Sequence, residues 1–95
     1  MTDIESLFKK IDKLISSLGG YWSEEWLIYP VIEELGEFSK ELQIVHKLHP
    51  KRESNHQKLQ EEFGDLVFAV FALGRGLNID IKQALINTIK KYERR

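Results

Sequence analysis

Two hexapeptides in this 95-residue sequence carry the same arrangement of chemistry: Glu33-Glu34-Leu35-Gly36-Glu37-Phe38 and Glu61-Glu62-Phe63-Gly64-Asp65-Leu66. Both read acid, acid, apolar, glycine, acid, apolar. On a helix, acids three positions apart share a face, which pairs Glu34 with Glu37 and Glu62 with Asp65. Each copy carries two local costs. A glycine inside a helical pattern destabilises by roughly 1 kcal/mol relative to alanine. Carboxylates set beside Leu35, Phe38, Phe63 and Leu66 repel one another, and a partly buried charge is expensive unless paired. Lys40 and Lys58 are the nearest lysines in sequence. Departures of this kind from local rules are where functional sites are expected.

A hard divalent cation would account for both costs. Mg²⁺ takes oxygen ligands, keeps several waters and is usually shared between carboxylates and substrate phosphates. The two glycines would let their helices approach closely, so that Glu34, Glu37, Glu62 and Asp65 converge on one ion. Glu41, one turn beyond Glu37, would extend the site toward a second ion. Glu33 and Glu61 point about 100° away from their neighbours and are weaker candidates. A single acidic pair at this spacing is ordinarily a solvated helix face; the matched second copy weighs against that reading.

The elements that must position these acids are helical. Ile4, Leu7, Phe8, Ile11, Leu14, Ile15 and Leu18 recur at helical spacing, with Thr2 or Asp3 as a cap and Gly19-Gly20 as a stop, which predicts a helix over about 3–18. Ser23-Glu24-Glu25 reads as a helix start that Pro30 interrupts. Either a short turn precedes a new helix beginning near Tyr29, or one helix kinks there. Val31, Leu35, Phe38, Leu42 and Val45 form an apolar stripe that should carry the helix to about Lys47. Residues 47–56 are polar, contain Pro50 and read as a loop joining antiparallel neighbours. A third helix is expected over about 56–74, ended by Gly74 and Gly76. Its second half, Leu66–Leu73, is apolar all round, the pattern of a helix buried on every side. Asp80 with Gln83 forms a capping box for a fourth helix, with Ile81, Ala84, Leu85, Ile89 and Tyr92 as its inner face. No segment alternates long enough to argue for a strand.

The expected fold is therefore all-α: a single domain over 1–95, an antiparallel helical bundle of about four helices. A chain this short cannot bury Leu66–Leu73 by itself, so homo-oligomerisation should complete the bundle, with this helix at the subunit interface. There is no cysteine, hence no disulfide and no thiolate metal site. The 14 basic and 15 acidic residues give a formal charge of −1, which supplies no general attraction to nucleic-acid polymer or anionic membrane. No apolar run approaches the roughly 20 residues that span a bilayer, and Met1–Lys10 has no signal-peptide core. The expectation is a cytoplasmic protein.

The spacing Glu33-Glu34-x-x-Glu37, then 24 residues (38–61), then Glu62-x-x-Asp65 resembles the signature of the MazG-type nucleoside triphosphate pyrophosphohydrolases, members of the all-α NTP pyrophosphatase superfamily. The surroundings Ile32–Glu37 and Glu61–Val67 are similar too, and the likeness runs on through Leu77-Asn78-Ile79-Asp80 to Lys91–Arg95. The resemblance implies hydrolysis of a nucleoside triphosphate to the monophosphate and pyrophosphate with Mg²⁺, or Mn²⁺ in its place. Carried over by position, it implies Glu34, Glu37, Glu62 and Asp65 as metal ligands, with Glu34 or Glu37 taking the proton of the attacking water. It also implies phosphate binding by the basic tail, Lys91, Arg94 and Arg95, whose bland alternative is favourable charge at a helix C-terminus. Family members often place an asparagine close before the lysine–aromatic pair; here Asn87 stands four before Lys91.

Other candidates are weaker. Trp22, Trp26 and Tyr29 precede the acidic helix; they are either core, or one of them, Trp22 first, stacks on a nucleobase. His46 and His49, with His56 beyond, have metal-like spacing but sit at a helix end and in a loop, where solvated histidine is the simpler reading. Lys51 and Arg52 would reach a phosphate only from that loop. The partners expected are thus a nucleoside triphosphate and a second or further copy of the chain, as homodimer or homotetramer. Two alternatives stay open: a relative dedicated to one nucleotide (dUTP, dCTP or phosphoribosyl-ATP), and a non-catalytic metal-binding helical module.

Overall fold

A computed structural model describes residues 3–46 and 56–95. Among them are four α-helices and no strand: α1 (Ile4–Ser17), α2 (Ile28–Val45), α3 (His56–Gly76) and α4 (Ile81–Glu93), with one 3₁₀ turn at Glu24–Trp26. The predicted loop, with His49, Lys51 and Arg52, lies outside the described residues. No helix among them is long and apolar enough to cross a membrane.

The chain divides into two compact units, residues 1–27 with 71–95, and residues 28–70. In the first unit, Asp3 caps α1 by accepting from the Ser6 amide at 2.8 Å. The helix stops where Gly19 and Gly20 take φ of 108° and 94°, a left-handed turn that glycine adopts without steric cost. Phe8 and Ile11 are buried, and the Phe8 ring meets that of Phe71 at 5.4 Å in an edge-on arrangement. The outer half of the predicted α1 stripe, Leu7, Leu14 and Leu18, is exposed. Asp12 accepts from the Tyr21 hydroxyl at 2.6 Å and from Arg75 Nε at 3.1 Å, with a second Arg75–Asp12 contact closing the fork. The Arg75 guanidinium also lies 5.3 Å from the Phe8 ring centroid.

The stop predicted for α3 at Gly74 and Gly76 is met at Gly76, without the left-handed glycine expected there. The helix runs through Gly74 to Gly76, and the left-handed residue that turns the chain is Asn78, at φ 57°. These glycines are required by close packing. A Cβ on Gly74 would lie 2.7 and 2.8 Å from Ile81 Cγ1 and Cδ1, and one on Gly76 would lie 2.5 Å from Leu27 Cδ1. Asp80 caps α4 through the Gln83 amide at 3.0 Å. The Gln83 side chain does not reach back as a capping box requires; it donates to Asn87 Oδ1 at 2.9 Å. The predicted inner face of α4 is also corrected, since Leu85, Ile89 and Tyr92 are exposed in the single chain.

In the second unit, a new helix starts at Ile28, and Pro30 falls in its first turn, where a missing N–H breaks no helical bond. The apolar stripe expected on α2 faces inward only in part: Val31, Phe38 and Val45 are half-buried. Ile44 and Glu41 are the buried residues, with Glu34 half-buried, while Leu35 and Leu42 are exposed. The helix is turned so that Glu34 and Glu41 point inward while Leu35 and Leu42 point out. Leu66–Leu73 is likewise not enclosed on every side: Ala69 is buried, but Phe68 and Val70 are 39% and 44% exposed.

Candidate metal centre

The 28–70 unit holds both acidic hexapeptides, one on α2 and one on α3. The Phe38 and Phe63 rings meet at 5.5 Å, tilted by 60°. Each aromatic immediately follows an acid of the motif, so the ring pair fixes the two helices at the level of the carboxylates. There, Glu34, Glu62 and Asp65 each offer an oxygen, and these three atoms lie within 4.8 Å of one another. Glu62 is buried, Glu34 half-buried and Asp65 exposed, so the cluster opens to solvent on one side.

Burial pushes the Glu34 carboxyl above its ordinary range, and the negative charges of Asp65, Glu33, Glu62 and Glu37 add to the effect. Repelling carboxylates gathered with one open side suit a hard divalent cation, which takes oxygen donors and tolerates retained water. Three oxygens in reach of one another, with four like charges acting on Glu34, fit such an ion. Glu62 has one compensating cation: Lys58 Nζ lies 3.0 Å from its Oε1.

Of the four carboxylates predicted to converge, the structure brings together three. Glu37 is not in that cluster, although its charge is felt at Glu34. Glu41, predicted one turn further along, is 3% exposed. The role expected of the glycines is corrected: a Cβ on Gly36 or Gly64 would meet nothing within 4 Å. The helices do not need glycine to approach here; the ring pair sets their spacing. Lys58, named in the sequence only as one of the two nearest lysines, was given no partner there, yet its position four before Glu62 was the readable signal.

Trp22 and the basic tail lie in the other unit. Trp22 is 60% exposed and lines a shallow cavity of about 550 Å³ with Tyr21, Ser23 and Trp26. Lys90, Lys91 and Arg94 line another, of about 460 Å³, with Asn87. Lys91 Nζ and the Arg95 guanidinium lie 4.9 and 5.1 Å from the Tyr92 ring centroid. His46 and His56 are exposed, and the three-residue carboxylate cluster contains neither.

Residues 22–95 match the family model of the MazG nucleotide pyrophosphohydrolase domain. The chain belongs to this family. MazG-domain proteins are hydrolases acting on phosphoanhydride bonds. Among curated relatives, the chain is 33% identical over 90 residues to the nucleoside triphosphate pyrophosphohydrolase/pyrophosphatase MazG of Thermotoga maritima. That match takes in 95% of this chain but 31% of the relative, so the chain spans about a third of its length. It is 29% identical over 97 residues to the uncharacterized YpjD protein of Bacillus subtilis, covering 85% of that protein. The crystal structure of Bacillus subtilis YpjD superimposes with a TM-score of 0.85 at 26% identity, over 97% of this chain and 98% of that one. The Bacillus-conserved MazG protein, a nucleotide pyrophosphohydrolase, gives 0.78 at 24% identity, over 97% and 90%, a likeness of fold. The all-α MazG-like fold expected from the sequence is the fold observed.

Proposed function

We propose that this chain hydrolyses a nucleoside triphosphate to the monophosphate and pyrophosphate, with Mg²⁺ as its natural cation and Mn²⁺ able to serve. The observation that carries the reading is the convergence of Glu34, Glu62 and Asp65 within 4.8 Å, from the two halves of the MazG-type signature. In this reading those three residues and Glu37 hold the ion. Bound there, the ion supplies positive charge to phosphate oxygens and offsets the charge that develops during cleavage.

The protein's own groups do the rest. Glu37 stands one turn from Glu34 and outside the converging three; as the ligand least used by the ion, it accepts the proton of the attacking water. Glu34 is the second candidate for that role, because its raised affinity for a proton also suits a base. The water oxygen bonds to phosphorus, the α–β anhydride breaks, and pyrophosphate leaves with the electron pair of that bond. Lys91, Arg94 and Arg95 are assigned to phosphate oxygens, supported for Lys91 and Arg94 by the exposed basic cavity they line with Lys90 and Asn87. Trp22 is assigned to the base, supported by its exposed ring beside a second cavity. The reading includes a cytoplasmic location and self-association as dimer or tetramer, the latter supported by exposed Phe68, Val70, Leu85 and Ile89.

The test is a panel of ribo- and deoxyribonucleoside triphosphates with Mg²⁺, monitoring monophosphate and pyrophosphate. The reading expects turnover of at least one nucleotide and its loss in Asp65→Asn. Absence of turnover with every nucleotide, at micromolar enzyme, would leave a metal-binding helical module and refute the enzymatic reading.

A further inference from the structure

The acidic centre carries its own cation. Lys58 Nζ sits 3.0 Å from Glu62 Oε1, one helical turn before it on α3. The Glu62 side chain is 11% exposed, whereas that of Lys58 is 43% exposed. The carboxylate that this lysine grips is one of the three that converge.

We infer that Lys58 is a built-in counter-ion: it holds Glu62 in the metal-free protein and competes with a divalent cation for that carboxylate. The inference rests on the proposed reading of Glu34, Glu62 and Asp65 as metal ligands. An oxygen engaged by an ammonium is a poorer donor to an incoming ion, and a fixed positive charge nearby opposes that ion directly. Lys58 is suited to yield, because it reaches Glu62 on a flexible four-carbon stem and its head is partly in water. Without it, Glu62 would be a largely buried, uncompensated carboxylate whenever the metal is absent. The lysine thus keeps the empty centre tolerable and weakens its affinity for metal. Coulomb attraction between close charges in a half-exposed setting makes the effect on a divalent ion about tenfold in affinity.

The experiment is calorimetric titration of Mn²⁺ alone, at fixed ionic strength, into wild type, Lys58→Met, Lys58→Arg and Asp65→Asn. Lys58→Met should bind Mn²⁺ about tenfold more tightly than wild type. Lys58→Arg, which keeps the charge, should stay close to wild type, and Asp65→Asn should lose binding. A merely structural ion pair would change the melting temperature of Lys58→Met and leave its Mn²⁺ affinity alone. Should Lys58→Met fail to fold by circular dichroism, Lys58→Gln takes its place. If wild type binds Mn²⁺ through Asp65 but removing the lysine charge leaves the affinity unchanged or weaker, the counter-ion role is overturned and the metal centre stands. If Lys58→Arg tightens as much as Lys58→Met, competition by charge is overturned. If neither wild type nor Lys58→Met binds Mn²⁺ at millimolar concentration, the metal centre and the counter-ion fall together.

Discussion

Gly36, Gly64 and Gly74 are chemically the same substitution site, a glycine inside a helix, yet alanine should act on them with opposite sign. Filling any helix-interior glycine with alanine gains about 1 kcal/mol of helix propensity. At Gly36 and Gly64 the new methyl meets nothing within 4 Å, so that gain should appear undiminished. At Gly74 the methyl would lie 2.7 and 2.8 Å from Ile81 Cγ1 and Cδ1. Cγ1 sits on the stiff, branched part of the isoleucine, so relief requires α4 or the Ile81 rotamer to move. Overpacking of this kind costs about 1–3 kcal/mol, which exceeds the propensity gain. Gly74→Ala should therefore be destabilised by about 1 kcal/mol and Gly36→Ala and Gly64→Ala stabilised by about the same. For a domain of this size, that separates their melting temperatures by roughly 10 °C. Thermal melts by circular dichroism in EDTA, at one protein concentration, measure it. Equal stability of Gly74→Ala and Gly36→Ala would refute the packing argument, and destabilised Gly36→Ala or Gly64→Ala would refute the claim of open space. Turnover of the two stabilised variants then reports whether those glycines serve the reaction rather than the fold.

Three further outcomes are expected. Because the Glu34 proton affinity is raised in the folded chain, its favourable contribution is complete below the ordinary carboxylate range, near 4.5, and is lost as pH rises through the elevated folded value. Glu34→Gln should then be more stable than wild type at neutral pH without metal, and Mn²⁺ at about 100 times its Kd should raise wild type by about 2.7 kcal/mol and leave Glu34→Gln unmoved, as melts with and without the ion will show. Arg75 holds Asp12 below its ordinary value of 3.8, so this pair contributes above that pH and its contribution fades as pH falls through the folded value; Arg75→Met should cost about 1 kcal/mol at pH 7, discounted for exposure, and progressively less as pH falls below 3.8, by urea melts. Burial and the bond to Asp12 push Tyr21 up to about 12, so stability from this tyrosine is complete below about 10 and lost toward 12, and Tyr21→Phe should flatten the alkaline limb.

Local rules made the helices legible. The Asp3 and Asp80 caps, the Gly19-Gly20 stop and Pro30 near a helix start act through neighbours within a few residues, and each works in the structure as the sequence suggests. The acidic repeat was legible because two copies can be compared within one chain. What failed was the assumption that apolar stripes face inward. On α2 it would bury Leu35 and Leu42, and the chain buries Glu41 and Ile44. On α4 it would bury Leu85 and Ile89, which are exposed. Periodicity reports which residues share a face, not what covers that face. The reading of Gly74 failed for a similar reason: a glycine near a helix end signals either a left-handed turn or a close neighbour, and only the position of Ile81 decides. The Arg75–Asp12 fork, between residues 63 apart, has no local signature.

These misreadings point the same way. In the 28–70 unit, Glu41 and Glu62 are 3% and 8% exposed, while Leu35 and Phe63 are each 53% exposed. Buried carboxylate and exposed leucine are both unfavourable, and on α2 turning the helix would relieve Glu41 and Leu35 together. The Phe38–Phe63 ring pair, buried Ile44 and the Lys58–Glu62 ion pair are the contacts that accompany the observed arrangement. A fold selected for stability of the isolated chain would not need the second acidic copy at all. The geometry therefore separates two tasks within one pair of helices: aromatic and aliphatic contacts set the register, and the register gathers three carboxylates that repel one another. Repulsion kept in a rigid frame is what gives a divalent cation something to bind, since flexible acids would relax apart and forfeit most of the gain.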